Sequence, residues 1–227
     1  MDVYLHMTKP AFDPLLAARI EACGIVAVLV IDREEDAVPL ARALLSGGVT
    51  AMELTLRTPA ALGALRRIRA EAPEMIAGVG TILTPEQVAE AFAAGAAFGV
   101  SPGVNPRVLH AARDAGLSFA PGVATPTDME IALEHGCTLL KFFPAEAAGG
   151  LAYLKAATPP YLHLGVKFLP LGGVNANNMA SYLSDPLIPA IGGSWLAPRD
   201  SIQAGDWATI TGLAREAIRI IQSVRGK

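Results

Sequence analysis

The chain predicts an α/β fold: a single (β/α)8 TIM barrel with an extra N-terminal helix, forming one domain over 1–227. Three observations carry this expectation. Short apolar runs rich in β-branched residues alternate with helical segments, as parallel strands joined by helical crossovers do. Eight strand–helix units fit into 227 residues, the size of an undivided barrel. Several helices open on a capping residue followed by proline, as in Thr84-Pro85, Asn105-Pro106 and Thr125-Pro126. An open doubly wound sheet is the competing arrangement, and the absence of a G-x-G-x-x-G motif after the first strand weighs against it.

Taken in order, 12–23 reads as a helix started by Asp13 as cap and Pro14 as its first residue. The run 25–31 has no polar alternation, which suits a strand covered on both faces, and a helix over 34–46 stops at Gly47-Gly48. The unit then repeats. Strands are expected over 51–56, 75–80, 97–101, 118–121, 138–143, 166–171 and 189–192. Helices are expected over 59–72, opened by Thr58-Pro59, and over 85–94, 106–115, 126–135, 150–157 and 176–184. A long amphipathic helix covers 205–224, and 159–165 reads as a loop.

Composition narrows the function. With 52% apolar and 17% charged residues the chain builds a sizeable core rather than staying disordered. A net charge of −3 gives no basic surplus for nucleic acid or anionic lipid. Cys23 and Cys137 lack C-x-x-C spacing and read as free thiols in a reducing compartment. Residues 1–15 lack a basic segment followed by an apolar run, and no apolar stretch is long enough to cross a bilayer. A cytoplasmic protein without nucleic-acid or membrane partners is the expectation. His6, His110, His135 and His163 show no metal-ligand spacing, so neither a metal nor a cofactor is expected.

One polar residue breaks the pattern. Lys141 lies in the middle of the apolar strand Leu139-Leu140-Lys141-Phe142-Phe143-Pro144. It either snorkels or pairs with a carboxylate, or the site requires its amine. A desolvated lysine gives up its proton more readily and becomes a nucleophile toward carbonyls, forming a Schiff base. Active sites of such barrels form at the C-terminal ends of the strands, so the polar residues there are the candidates. On the second strand Ala51, Glu53, Thr55 and Arg57 share one face, and Met52, Leu54 and Leu56 share the other. Glu53 then points inward as a candidate base and Arg57 as a carboxylate clamp, unless the two form a structural ion pair. Thr81, Ser101-Pro102-Gly103 and Thr125 follow the third, fourth and fifth strands, each readable as a cap or turn and together as a ring of small polar groups. Gly172-Gly173 and Gly192-Gly193-Ser194-Trp195 end the seventh and eighth strands, the recurrent phosphate position of this barrel.

These residues resemble the 2-keto-3-deoxy-6-phosphogluconate (KDPG) aldolases, class I enzymes for which 4-hydroxy-2-oxoglutarate is a second candidate substrate. The matching motifs are Glu53-Leu54-Thr55-Leu56-Arg57-Thr58, Gly78-Val79-Gly80-Thr81, Ser101-Pro102-Gly103, Lys141-Phe142-Phe143-Pro144-Ala145-Glu146, Gly172-Gly173 and Gly192-Gly193-Ser194-Trp195. They stand in the family's order and spacing across almost the whole chain. The resemblance implies a homotrimeric (β/α)8 barrel that cleaves KDPG to pyruvate and D-glyceraldehyde 3-phosphate without a cofactor. It implies that Lys141 forms the Schiff base and that Glu53 is the general acid/base, working through a water. By the same resemblance Arg57 and Thr81 bind the substrate carboxylate, with Pro102 and Phe143 lining that end, and Gly172, Gly173, Gly193 and Ser194 hold the phosphate. Leu171 departs from the family's threonine and leaves the C4 epimer open, since a related enzyme for the galactonate epimer has an aliphatic residue there. Two other classes remain: a phosphosugar isomerase or epimerase with Lys141 purely electrostatic, and a non-catalytic sugar-phosphate binder with Lys141 salt-bridged.

Overall fold

The computed structural model describes residues 11–226; the expectations placed on residues 1–10, His6 among them, lie outside that range. The first half of the chain runs α1 Pro14–Cys23, β1 Ile25–Leu29, α2 Ala37–Ser46, β2 Ala51–Thr55, α3 Ala61–Glu71, β3 Ile76–Gly80, α4 Pro85–Ala93, β4 Gly99–Val100 and α5 Pro106–Ala115. The second half runs β5 Phe119–Ala120, β6 Gly122–Val123, α6 Pro126–Glu134, β7 Leu139–Phe142, α7 Gly150–Ala157, β8 Lys167–Pro170, α8 Met179–Leu183, β9 Ile191–Gly193, α9 Arg199–Ala204 and α10 Trp207–Arg225. All strand pairs are parallel. A six-stranded sheet has the order β5-β4-β3-β2-β1-β9, and a three-stranded sheet the order β6-β7-β8.

The expected parallel α/β arrangement is therefore present, but the hydrogen-bonded ladder is not one continuous ring of eight strands. The stretch expected as a single strand over 118–121 is split at Pro121, which has no N–H to donate to a ladder. Pro121 still accepts a bond from the Lys141 N–H at 2.9 Å, so β5 and β6 serve the two sheets in succession. The last strand, β9, pairs with the first, β1, and lies alongside β8.

Two apolar clusters follow from the strand faces. One packs the helices onto the outside of the sheets and includes Met52 and Leu54 of β2. The other is interior: Val26, Ala51, Ile76, Val100, Ala120, Leu139 and Leu169 reach it from strands of both sheets, with Phe98 and Ala190 from just before β4 and β9. Phe12 and Ile20, at the N-terminal helix, join this cluster. The sheets thus curl around a common interior, and Glu53, on the same face of β2 as Ala51, belongs to that side.

Local chemistry explains the remaining departures. Thr58-Pro59 does not open α3, which starts at Ala61 without a side-chain cap, because the Thr58 hydroxyl donates to the Ile31 carbonyl at 2.5 Å. The Asn175 side chain accepts from the 177 N–H in an Asx turn and the Asn178 side chain accepts from the 175 N–H, and these local bonds delay α8 to Met179. The expected loop over 159–165 is a short 3-10 helix, Pro159–Leu164. The long last helix begins at Trp207, with Asp206 accepting from the Thr209 N–H, and is preceded by the unexpected α9. Gly205, at φ 67°, separates the two.

Candidate active site

Lys141 sits in β7 between Gly122 of β6 and Leu169 of β8, and it is only 6% exposed. Its amine reaches across the interior to Glu53 of β2, which is 2% exposed. The Nζ atom stands 3.2 Å from Glu53 Oε1 and 3.5 Å from Oε2. Lys141 therefore does not snorkel; it pairs with the one carboxylate placed to take its proton. The Phe143 ring lies beneath the amine, 5.4 Å from Nζ to the ring centroid. Gly80, on the neighbouring strand β3, makes room for the carboxylate: a β-carbon there would fall on Glu53 Oε1. This buried hydrogen-bond contact keeps a proton donor and a proton acceptor in register.

Arg57 is not the partner of Glu53. Its Nε donates to the Thr55 hydroxyl at 3.1 Å, and that hydroxyl donates to the Leu29 carbonyl at 2.9 Å. Thr55 thus fixes the guanidinium from its inner edge. Among the described residues no carboxylate pairs with Arg57, whose terminal nitrogens stay available to an anion. Thr81 has φ 63°, the left-handed region that a β-branched residue seldom adopts.

These groups line one cavity of about 320 Å³. It brings together Glu53, Arg57, Thr81, Pro102, Lys141, Phe143, Gly172, Gly173 and Ser194, the expected residues with one exception. The exception is Gly193, which is buried with its α-carbon against the Trp195 ring, while Gly192 takes the lining position. Ser101 and Thr125 do not complete a polar ring around it: the Ser101 hydroxyl donates to the Gly103 carbonyl at 2.6 Å, and Thr125 caps α6. Val28, Thr55 and Val174 also line the cavity and escaped the sequence reading of roles. The two valines are indistinguishable from core residues by type, but Thr55 carried a signal, lying between Glu53 and Arg57 on their face of β2.

In the turn after β8, also lining the cavity, Gly172 and Gly173 adopt φ 94° and 84°. Among the described residues none accepts a hydrogen bond from the N–H of Gly172, Gly173 or Val174. Successive free N–H groups of this kind form a nest for an anion. Among the described residues no three His, Cys, Asp or Glu side chains come together as a metal site. The arrangement suits a molecule with two anionic groups, one facing Arg57 and one facing the glycine turn, and a carbonyl beside Lys141.

Comparison with known proteins agrees with this geometry. The family model for KDPG and KHG aldolase matches residues 16–213. The chain is 46% identical over 202 residues to the 2-dehydro-3-deoxy-phosphogluconate aldolase of Treponema pallidum, covering 89% of this chain and 95% of that one. It is 44% identical over 194 residues to the KHG/KDPG aldolase of Escherichia coli K12, covering 86% and 90%. Among solved structures it resembles the KDPG aldolase of Legionella pneumophila with pyruvate captured as a covalent carbinolamine intermediate. The TM-score is 0.83 at 40% identity, covering 88% of this chain and 96% of that one.

Proposed function

The chain belongs to the KDPG and KHG aldolase family, and from that premise we propose that it is a class I aldolase cleaving KDPG to pyruvate and D-glyceraldehyde 3-phosphate. The observation that carries the reading is the buried contact of 3.2 Å between Lys141 Nζ and Glu53 Oε1. Lys141 hands its proton to the carboxylate and attacks the C2 carbonyl, forming a carbinolamine that loses water to give a protonated imine. The imine is an electron sink. Glu53 takes the C4 hydroxyl proton through a water, the C3–C4 bond breaks, and the electron pair passes into an enamine as the aldehyde leaves. Protonation of the enamine carbon and hydrolysis of the imine release pyruvate and restore the amine. Arg57 and Thr81 hold the carboxylate, with Pro102 and Phe143 flanking it. The Gly172-Gly173 turn and Ser194, backed by Gly193, hold the phosphate. Anchoring both ends aligns the scissile bond before reaction. The cleavage of 4-hydroxy-2-oxoglutarate to pyruvate and glyoxylate follows the same steps with the phosphate end empty.

The finer features of the molecule belong to the same reading. The two sheets form one closed (β/α)8 barrel and a single domain, supported by β8 lying beside β9 and by the shared interior cluster. The enzyme is a cytoplasmic homotrimer, so light scattering is expected to give three times the 23.6 kDa of the chain. A second reading, preference for the 6-phosphogalactonate epimer, rests on Leu171, whose side chain lines the cavity against Gly192 where the family has threonine.

Borohydride reduction in the presence of pyruvate tests the reading. A covalent adduct on Lys141 is expected, and an unmodified protein would defeat the Schiff-base mechanism in favour of an isomerase or a binder. Lys141→Arg keeps the charge but is expected to abolish cleavage, measured as pyruvate release with each C4 epimer.

A further inference from the structure

We propose that Glu146 and Tyr182 are positioning residues that brace the Gly172-Gly173-Val174 turn in its anion-accepting conformation, and so set the preference for phosphorylated over unphosphorylated 2-keto acids. The proposal rests on the aldolase reading above. It begins from the carbonyls of 171, 172 and 173, which share peptide groups with the turn's three N–H groups and each accept a hydrogen bond. Leu171 O accepts from the Ala145 N–H at 2.7 Å and Gly172 O from the Glu146 N–H at 3.0 Å. Gly173 O accepts from the side-chain amides of Asn175 at 3.0 Å and Asn178 at 3.2 Å. With the carbonyls engaged behind, the three N–H groups are left to the cavity.

Glu146 does more than offer its backbone. Its stem lies against the α-carbon of Gly173, where an added β-carbon would meet Glu146 Cβ at 2.6 Å and Cγ at 2.7 Å. Its carboxylate accepts a hydrogen bond from the Tyr182 hydroxyl. Tyr182 is 1% exposed on α8, the helix that follows the turn after the Asn175–Asn178 segment. The turn is therefore gripped between the connection after β7 and the helix that follows it. Gly150 leaves space for the joint: a β-carbon there would stand 3.1 Å from Glu146 Oε1 and 3.2 Å from the Tyr182 oxygen. A carboxylate this near an anion site opposes phosphate unless it is held elsewhere, and the tyrosine hydroxyl holds it. Neither side chain lines the cavity. Their effect passes through the turn.

Tyr182→Phe removes only the hydroxyl and keeps the packed ring. Inorganic phosphate binding by calorimetry and KM for KDPG are expected to weaken about tenfold, the equivalent of one hydrogen bond to a charged group. The rate of borohydride trapping with pyruvate, which has no phosphate, is expected to stay the same. Glu146→Ala should repeat the effect, and Glu146→Gln, which keeps an acceptor for the hydroxyl, should restore phosphate binding relative to it. Equal phosphate affinity in Tyr182→Phe and the parent protein overturns the proposal, as does an equal loss of phosphate binding and pyruvate trapping. Failure of the parent protein to trap pyruvate instead removes the aldolase reading, while the phosphate titration still decides the brace.

Discussion

At the scale of single residues, chemistry is legible where a residue type contradicts its surroundings. Lys141 stood out in an apolar strand and Glu53 on the inward face of another, and the structure joins them across the interior. Arg57 was legible by strand alternation, but its support from Thr55 was not, because that contact depends on a carbonyl of β1 far away in sequence. Glu53→Gln preserves shape while removing the proton acceptor; kcat for pyruvate release is expected to fall about 10²–10⁴-fold, the usual worth of a general base. An unchanged kcat would remove Glu53 from the proton transfers. Cys137 gives a second prediction. Burial alone pushes its thiol from 9.0 up to about 12, so at pH 8 it carries its proton and resists alkylation until the chain unfolds. The folded state holds this proton more tightly than the unfolded state. Its contribution to stability is thus complete below pH 9.0 and lost as pH rises toward about 12, which alkaline denaturation curves would register. Thiol counts with and without denaturant check the first part.

At the scale of elements, identical local sequence signals met different tertiary partners. Thr58-Pro59 and Thr125-Pro126 look alike in the chain, yet only the second opens a helix. The Thr125 hydroxyl accepts from the Asp128 N–H at 3.2 Å, and the Asp128 carboxylate accepts from the Thr125 N–H at 2.9 Å, a reciprocal capping box. At Thr58 the hydroxyl instead donates to the carbonyl of Ile31, just past the end of the neighbouring strand β1, and no local pattern announces that. Thr125→Ala is expected to lower unfolding free energy by about 1 kcal/mol with kcat unchanged, since the residue lies outside the cavity; Thr58→Ala leaves the start of α3 where it is. Urea denaturation with parallel activity assays measures both. The same competition shortened α8, where the side chains of Asn175 and Asn178 bond local N–H groups before the first helical turn. The α9 helix escaped for a different reason: at six residues it shows too little periodicity, although Pro198 before it and Gly205 after it are ordinary boundary signals.

At the scale of the whole molecule, the alternation of strand and helix fixed the parallel arrangement, but nothing local says how the ends of such a chain meet. The meeting is made by pairing β9 with β1 and by one side chain at the far end of α10. Arg225 donates to the carbonyl of Glu21 in α1 and to that of Pro189 just before β9. The C-terminal helix thereby ties the N-terminal helix to the last strand, while Gly47 permits its close approach to α2, a β-carbon there falling on Ala214. From there Ile191 continues the tie, its N–H donating to the Gly24 carbonyl at 3.1 Å. Removing the guanidinium leaves two carbonyls to find water and releases the lead-in to β9, whose other neighbour, β8, shares no ladder with it. Arg225→Ala is therefore expected to lower global stability by about 1.5–3 kcal/mol, the range for hydrogen bonds to a charged group. It is also expected to speed hydrogen exchange at Ile191–Gly193 more than at β2 and β3, which are paired on both sides. Because the cavity's Ser194 follows β9 directly, the loosening should reach KM for KDPG before it reaches pyruvate trapping at Lys141. Uniformly faster exchange across all strands would mean instead that Arg225 stabilises the fold without holding this seam.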